Sequence, residues 1–444
     1  MTITPTARCR ELLLAGRRAD AELVVAGLIA EQFAMAVTRA SIGADWTSLN
    51  SVNGTVETAD GGRYFFKFHQ EEGEEETVRE YYRAEILQKA GLPVDVPMRV
   101  SREPGHQVLL YAFRHDRRLA DVCLEIDRDA DDTGILEIAA LQADLDRRVG
   151  KSYLATLHNS NAAQSTPEAI HQLFHHRLLT PSEPSRLGGR VARFYAGQVV
   201  RIPGAELRWE EFTALRWRIN GVNYRHTIGA LFEESLIRLD PASLGTVGGL
   251  VAHGDAHNAN VWVEEHDETR RLVLFDPAFA GEHVPALLAD VKATFHNIYA
   301  HPLWLYHPSE AEALFGVEVS IANGWVVIEH DWAPTPLRRA FLESKIETVW
   351  TPLVAALRDR GLLPDDWARI VRCALFCCPT LVTNLHAGES QGPIPGRSPA
   401  LSALSFAIAV MAGGEPEGGG TDPFTRFFAA ISPRSQSQNS RYSP

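Results

Sequence analysis

The chain has 444 residues, 45% of them hydrophobic and 22% charged, with a formal net charge of −13. That length accommodates two lobes with insertions, and the composition is that of an ordinary globular protein. The acidic balance argues against a nucleic-acid partner, no apolar run approaches the roughly 18 residues of a membrane span, and Arg10, Glu11, Arg17, Arg18 and Asp20 interrupt any secretory-type core, so the expected location is cytoplasmic.

Residues 10–40 read as helix, with Leu13, Leu23, Leu28 and Phe33 recurring on roughly a helical repeat. From Trp46 the pattern changes. Segments 49–57 and 63–68 flank the Asp- and Gly-rich stretch 59–62, a hairpin signal. The acidic run 71–76 reads as a solvated loop leading into a helix over 76–90, stopped by Gly91 with Pro93 just beyond. Strand-like pieces follow at 98–100 and 107–113. After Arg114 the chain reads as largely helical, including 131–147, 166–178, 206–219 and 226–239, and again over 284–299. Asn323-Gly324 within 317–328 is a strong hairpin signal. Long helices are predicted at 336–360, 364–388 and 399–412. Cys373, Cys377 and Cys378 lie among Val371, Leu375 and Phe376, so they read as buried core thiols and not as a soft-metal site. Residues 413–420 form a flexible loop, and 432–444, dominated by Ser, Arg, Gln and Pro, read as a disordered tail.

The chemistry concentrates between 251 and 276. An apolar run leads into the polar turn His253-Gly254-Asp255-Ala256-His257, then Asn260, a short strand, a charged tip at 264–271 and a second strand ending in Phe275-Asp276. Phosphoryl transfer needs one carboxylate to orient an acceptor hydroxyl, plus an amide oxygen and a second carboxylate to hold magnesium against the phosphates. Hard oxygen ligands suit Mg²⁺, which takes one or two carboxylates and keeps several waters. In these terms Asp255 is the expected catalytic base, and Asn260 and Asp276 are the metal ligands. The bland alternative for Asp255 is a turn-capping carboxylate. His253, Asp255 and His257 also spell H-x-D-x-H, part of a metal-hydrolase site that would require further ligands such as His283, His296 or His301. Lys67, in Tyr64-Phe65-Phe66-Lys67-Phe68, sits in an aromatic strand, where an ammonium is costly unless paired. The bland alternative is a snorkelling surface lysine.

His253-Gly254-Asp255 with Asn260 and a later Asp276 resembles the H-G-D-x-x-x-x-N…D signature of the aminoglycoside phosphotransferase/choline kinase-like family. The resemblance covers about 46–113 and 247–293. It implies an α+β, bilobal protein kinase-like fold: an N-terminal helical segment (1–45), a small antiparallel β lobe that binds nucleotide (46–113), a larger mainly helical lobe (114–431) and the tail (432–444). It implies ATP and Mg²⁺ as cofactors and a small hydroxyl-bearing acceptor (sugar, amino sugar, aminoglycoside or amino alcohol), with no nucleic-acid or membrane partner. Lys67 would then meet the nucleotide phosphates and a glutamate of the next helix; the family's spacing to Gly91-Leu92-Pro93 favours Glu80, and Glu85 stays open. Ser51, Asn53 and Gly54, within 50–55, would form the phosphate-covering loop without a full G-x-G-x-x-G. Tyr111 would lie at the adenine-receiving hinge, His253 would organise the catalytic loop, and so would Asp290. His296, Asn297, Asp331, Asn384, His386 and Glu389 are candidates for the acceptor pocket, each also readable as surface or helix-end chemistry. Two rivals remain: a nucleotide-binding pseudokinase with a regulatory role, and a metallohydrolase using His253, Asp255 and His257.

Overall fold

The computed structural model describes residues 3–43, 51–69, 83–129, 131–180, 183–266, 269–300, 302–388 and 396–432. Glu80, Glu389, His301 and the tail from 433 onward lie outside these described residues. The fold is mixed, with small, mostly antiparallel sheets and many helices, and it divides into two units: 1–119 with 259–280, and 120–258 with 281–444.

In the first unit, Pro5–Leu14 and Arg18–Phe33 are helices, and Ala34 ends the second in a left-handed conformation. Val37–Ile42 then runs as a strand. The single helix expected over 10–40 is therefore two helices and a strand, because Ala34 stops the helix and Val37, Thr38 and Ile42 are β-branched. The five-stranded antiparallel sheet runs in the order Val37–Ile42, Ser51–Thr58, Arg63–His69, Leu109–Ala112, Arg99–Val100. Strand alternation sends Val52, Val56, Phe66 and Phe68 to one face, where they share a core with Leu12, Val25, Leu28 and Ile29 of the two helices. The N-terminal helices thus complete the core of this sheet. By the same period, Phe65 and Lys67 belong to the opposite face.

The hairpin Val261–His266/Thr269–Leu274 belongs to the same unit, and Arg117–Arg118 pairs on its edge. The Leu274 N–H donates to Pro93 O at 2.7 Å, and the Asp95 N–H donates to Leu274 O at 2.8 Å. These bonds fix the end of the hairpin to the chain just beyond Gly91. Arg114 reinforces the join, reaching Asp95 at 2.8 Å, Asp116 at 3.1 Å and Glu264 at 2.7 Å.

The second unit holds a four-stranded sheet, Val222–Tyr224, Arg216–Ile219, Trp325–His330, Val317–Ala322, with the two central strands parallel. The helix expected over 206–219 is replaced by the strand Ala205–Arg208, one short helix Trp209–Thr213 and the strand Arg216–Ile219. The alternating burial of Arg216, Trp217, Arg218 and Ile219 is a period of two, and Asn220-Gly221 with positive φ makes the turn. Gly249–Ala252 pairs with Gly281–Pro285, so the expected helix over 284–299 starts late: Val291–Thr294 is α-helical and Phe295–Tyr299 continues as a π-helical turn. Of the expected long helices, 336–360 is found as Pro336–Lys345 through Thr351–Asp359 and 399–412 as Pro399–Gly413, whereas the one expected over 364–388 spans only Trp367–Thr380 and ends just after Pro379. Burial pushes the Cys373 and Cys378 thiols up to about 12, as fits inert core residues. Among the described residues, no helix is long and apolar enough to cross a membrane.

Candidate active site

Lys67 sits mid-strand and only 7% exposed, directly across from Asn53 on one neighbouring strand and Leu109 on the other. Its ammonium is ion-paired with Asp276 Oδ1. The buried strand lysine is therefore paired, and the snorkelling alternative falls away. Asp276 follows the hairpin strand and takes a left-handed φ of 55°. Few residues other than Gly, Asn and Asp tolerate that conformation, and a held non-glycine outlier of this kind is often found at functional sites. Its neighbour Phe275 is locked twice: its ring stacks on Trp262 with centroids 4.2 Å apart, and its N–H donates to Asn260 O at 3.0 Å. That bond ties the amide and the second carboxylate of the predicted metal pair to one hairpin. Arg83, on the helical segment 83–89, donates to Ala278 O just beyond Asp276. Sequence reasoning passed over Arg83, which has no motif to mark it.

The predicted phosphate-covering loop is not a loop where the sequence reading put it. Ser51, Asn53 and Gly54 all lie within the strand Ser51–Thr58, hydrogen-bonded on both sides. The Ser51 side chain is outside the described set. Gly54 has a structural reason to be glycine, since a Cβ there would meet Ser41 O at 2.1 Å and the Phe66 ring at 2.9 Å. Tyr111 is also a strand residue, 6% exposed, tilted against Phe65 across the strand pair with ring centroids 6.3 Å apart. Asn53, Phe65, Lys67 and Tyr111 share one face of the sheet by register. Glu85 lies half-buried on the 83–89 helix.

In the second unit, Asp255 follows Gly254, whose φ of 79° makes the turn. The Asp255 N–H donates to His253 Nδ1 at 3.3 Å, so the buried His253 organises the loop through its ring nitrogen. Asn297 holds the far side: its Oδ1 accepts from the Asn258 N–H at 2.7 Å and its Nδ2 donates to Ala256 O at 3.3 Å. The Asn297 carbonyl in turn accepts from Arg338 Nη1 at 2.8 Å, and Arg338 is buried against Asp127, also at 2.8 Å. Asn297, an acceptor-pocket candidate from sequence, is thus a loop support, and Arg338 and Asp127 are supports that the sequence did not reveal. His386 lies among Tyr195, Trp209 and Phe406, and Asn384 accepts from its backbone N–H at 2.9 Å.

The Asp255 side chain is 12% exposed. Burial alone would raise its pKa, but His257, Lys292, Arg177 and His253 together hold it below the usual aspartate range. His257 Nε2 is 3.7 Å from Asp255 Oδ2, and Lys292 Nζ is 4.0 Å from Oδ1. An ionised, nearly enclosed carboxylate beside cations can accept a proton from an approaching hydroxyl. Asp290 is occupied otherwise: Lys345 Nζ meets its Oδ1 at 2.9 Å and Thr294 Oγ1 donates to Oδ2 at 3.0 Å. Among the described residues, no three His, Cys, Asp or Glu side chains are grouped to hold a metal ion. Among the described residues, His253, Asp255 and His257 are thus not joined by the further ligand that a zinc site needs.

No protein-family model matches the chain, and no curated protein matches it. Among solved structures it is similar to a macrolide 2'-phosphotransferase type I, at 13% identity and TM-score 0.31 over 81% of this chain and 95% of that one. It is also similar to the apoenzyme of the macrolide 2'-phosphotransferase MphH from Brachybacterium faecium, at 15% identity and TM-score 0.30 over 79% of this chain and 97% of that one.

Proposed function

We propose that the protein is a small-molecule kinase of the aminoglycoside phosphotransferase/choline kinase-like family, with the bilobal arrangement that family implies. It would transfer the γ-phosphoryl group of ATP to a hydroxyl of a sugar, amino sugar, aminoglycoside or amino alcohol. The observation that carries the reading is the Lys67–Asp276 ion pair in the first unit; the Asp255 of the second, held below the usual aspartate range, is in keeping with it. Phosphoryl transfer sets a sheet lysine and a metal-holding carboxylate at the same nucleotide phosphates, and the Lys67–Asp276 contact brings a lysine and a carboxylate of those kinds together.

Asp255 would accept the acceptor's hydroxyl proton. Lys67 would contact the nucleotide phosphates, with Glu80 or Glu85 as its second partner, and the sheet face of Asn53, Phe65 and Tyr111 would receive the nucleotide. Asn260 and Asp276 would hold Mg²⁺. Their oxygens are the hard donors Mg²⁺ prefers, and two protein ligands suit an ion that keeps several waters. When bound, the ion would neutralise phosphate charge. His253 and Asn297 position the Asp255 turn through the hydrogen bonds described above.

The test is product formation. With Mg-ATP and a panel of hydroxyl-bearing metabolites, the wild type should yield a product heavier by one phosphoryl group, and Asp255→Asn should not. Nucleotide binding without turnover on any acceptor would instead favour the pseudokinase reading.

A further inference from the structure

One buried cation near the proposed base has no role in the family signature. Lys292 is 3% exposed on the single turn Val291–Thr294, with its Nζ 2.8 Å from His296 Nε2 and 4.0 Å from Asp255 Oδ1. His296 lies one helical turn further on and is 7% exposed. A buried ammonium needs a counter-charge. The acid nearest in sequence, Asp290, is committed to Lys345 and Thr294, so the carboxylate that answers Lys292 is Asp255.

We propose that Lys292, clamped by His296, is the positioning residue of Asp255: it fixes the charge state and orientation of the carboxylate without touching the reacting atoms. This rests on the kinase reading of Asp255. The charged and titratable groups facing Asp255 are His253 and His257 from its own loop, Lys292 from the helix at 291–294 and Arg177 from the short helix His175–Leu178. The Tyr306 hydroxyl and the Cys378 thiol also feel it, and burial raises both, so they stay neutral. Burial drives His296 well below its usual value, which leaves a neutral imidazole whose Nε2 accepts from the Lys292 ammonium. Burial also pulls Lys292 down, and Asp255 opposes that shift. The pair is mutual: each partner's charge favours the charged form of the other.

The experiment is the pH dependence of kcat/KM in the wild type, Lys292→Gln and Lys292→Arg, with Asp255→Asn as reference. Turnover is read as phosphorylated product or, failing an acceptor, as Mg-ATP-dependent ADP release to water. Lys292→Gln should move the acid limb up by about 1–3 pH units, the range set by an opposite charge within about 4–6 Å. Lys292→Arg, which keeps the charge, should leave the limb near its wild-type position. An unmoved limb in Lys292→Gln, or equal shifts in both variants, overturns the proposal. Should Lys292→Gln not fold, infrared titration of the wild type decides, with the Asp255 carboxyl band identified by its loss in Asp255→Asn. The protonated band should emerge only below the ordinary aspartate value of about 3.9. Emergence clearly above that value would overturn the proposal. Wild-type turnover in Asp255→Asn would sink the kinase reading itself, a separate outcome from either Lys292 result.

Discussion

Lys67 and Asp276 are ion-paired across 209 residues of sequence. The lysine comes from the middle of an antiparallel sheet and the carboxylate from the end of a hairpin strand, and both belong to the same unit. If this pair awaits nucleotide and metal, removing the cation should hurt turnover more than folding, because the Asp276 side chain is 36% exposed and remains hydrated when unpaired. Lys67→Met should lower kcat/KM for Mg-ATP by ~10²–10³-fold, the scale for loss of one preorganised charge partner. Steady-state kinetics alongside a thermal melt check both halves. A large fall in Tm with little kinetic change would assign Lys67 to structure alone.

Asp276 offers a sharper separation of strain from chemistry. Asp276→Ala and Asp276→Gly both delete the carboxylate and should both abolish Mg-ATP-dependent turnover. They differ in backbone tolerance at φ 55°. The glycine variant should be the more stable by about 1–2 kcal/mol, the usual penalty for an L residue in the left-handed region. Urea midpoints for the two variants measure this directly, and equal midpoints would remove the claim of backbone strain.

The family resemblance puts Gly54 in a phosphate-covering loop, and the structure supplies a packing reason for a glycine there. A Cβ at 54 would press on Ser41 O within the sheet. Gly54→Ala should therefore destabilise the protein by about 1–3 kcal/mol or more, as overpacking does. Equilibrium denaturation is the check; an unchanged midpoint would mean that the strands part freely there.

The buried, paired sheet lysine and the Asn323-Gly324 hairpin were legible because each is a local pattern with a mechanism. The strands at 205–224 were missed although Asn220-Gly221 carries the same turn signal, with the same pair of positive φ values. There the short segments, with Trp209, Phe212 and Trp217 spaced along them, also suit a helical repeat, and periodicity over so few residues does not discriminate. Gly54 misled the reading because one glycine serves a phosphate loop or a crowded strand equally well. The supports of the Asp255 loop were illegible for a different reason. Asp127, Asn297 and Arg338 are distant in sequence and meet only on folding.

That support chain predicts a selective defect. Asn297→Ala removes the bonds to Asn258 N and Ala256 O, leaving one buried and one part-buried backbone group without that partner. It should cost about 1–3 kcal/mol of stability. With the Asp255 turn loosened, kcat should fall about tenfold or more while KM for ATP holds. Loss of nucleotide affinity with intact kcat would contradict the assignment.

The Asp255 carboxylate also sets a pH signature. Its pKa is depressed in the folded state by its cationic neighbours, despite burial. A depressed carboxylate contributes stability that is fully present above the unfolded value of about 3.9 and is lost as pH falls through the folded value. The Tm of the wild type should therefore drop below about pH 4, and Asp255→Asn should flatten that limb. A wild-type and variant pair with parallel acid limbs would mean that the carboxylate is not held ionised.

The central claim, that this chain moves a phosphoryl group with Asp255 as base, is tested most directly by mass analysis of a Mg-ATP reaction over a broad hydroxyl-acceptor panel. The account predicts at least one acceptor that gains a single phosphoryl group with stoichiometric ADP, and loss of that product in both Asp255→Asn and Asp276→Ala. Phosphorylated product formed at the wild-type rate by Asp255→Asn would contradict it.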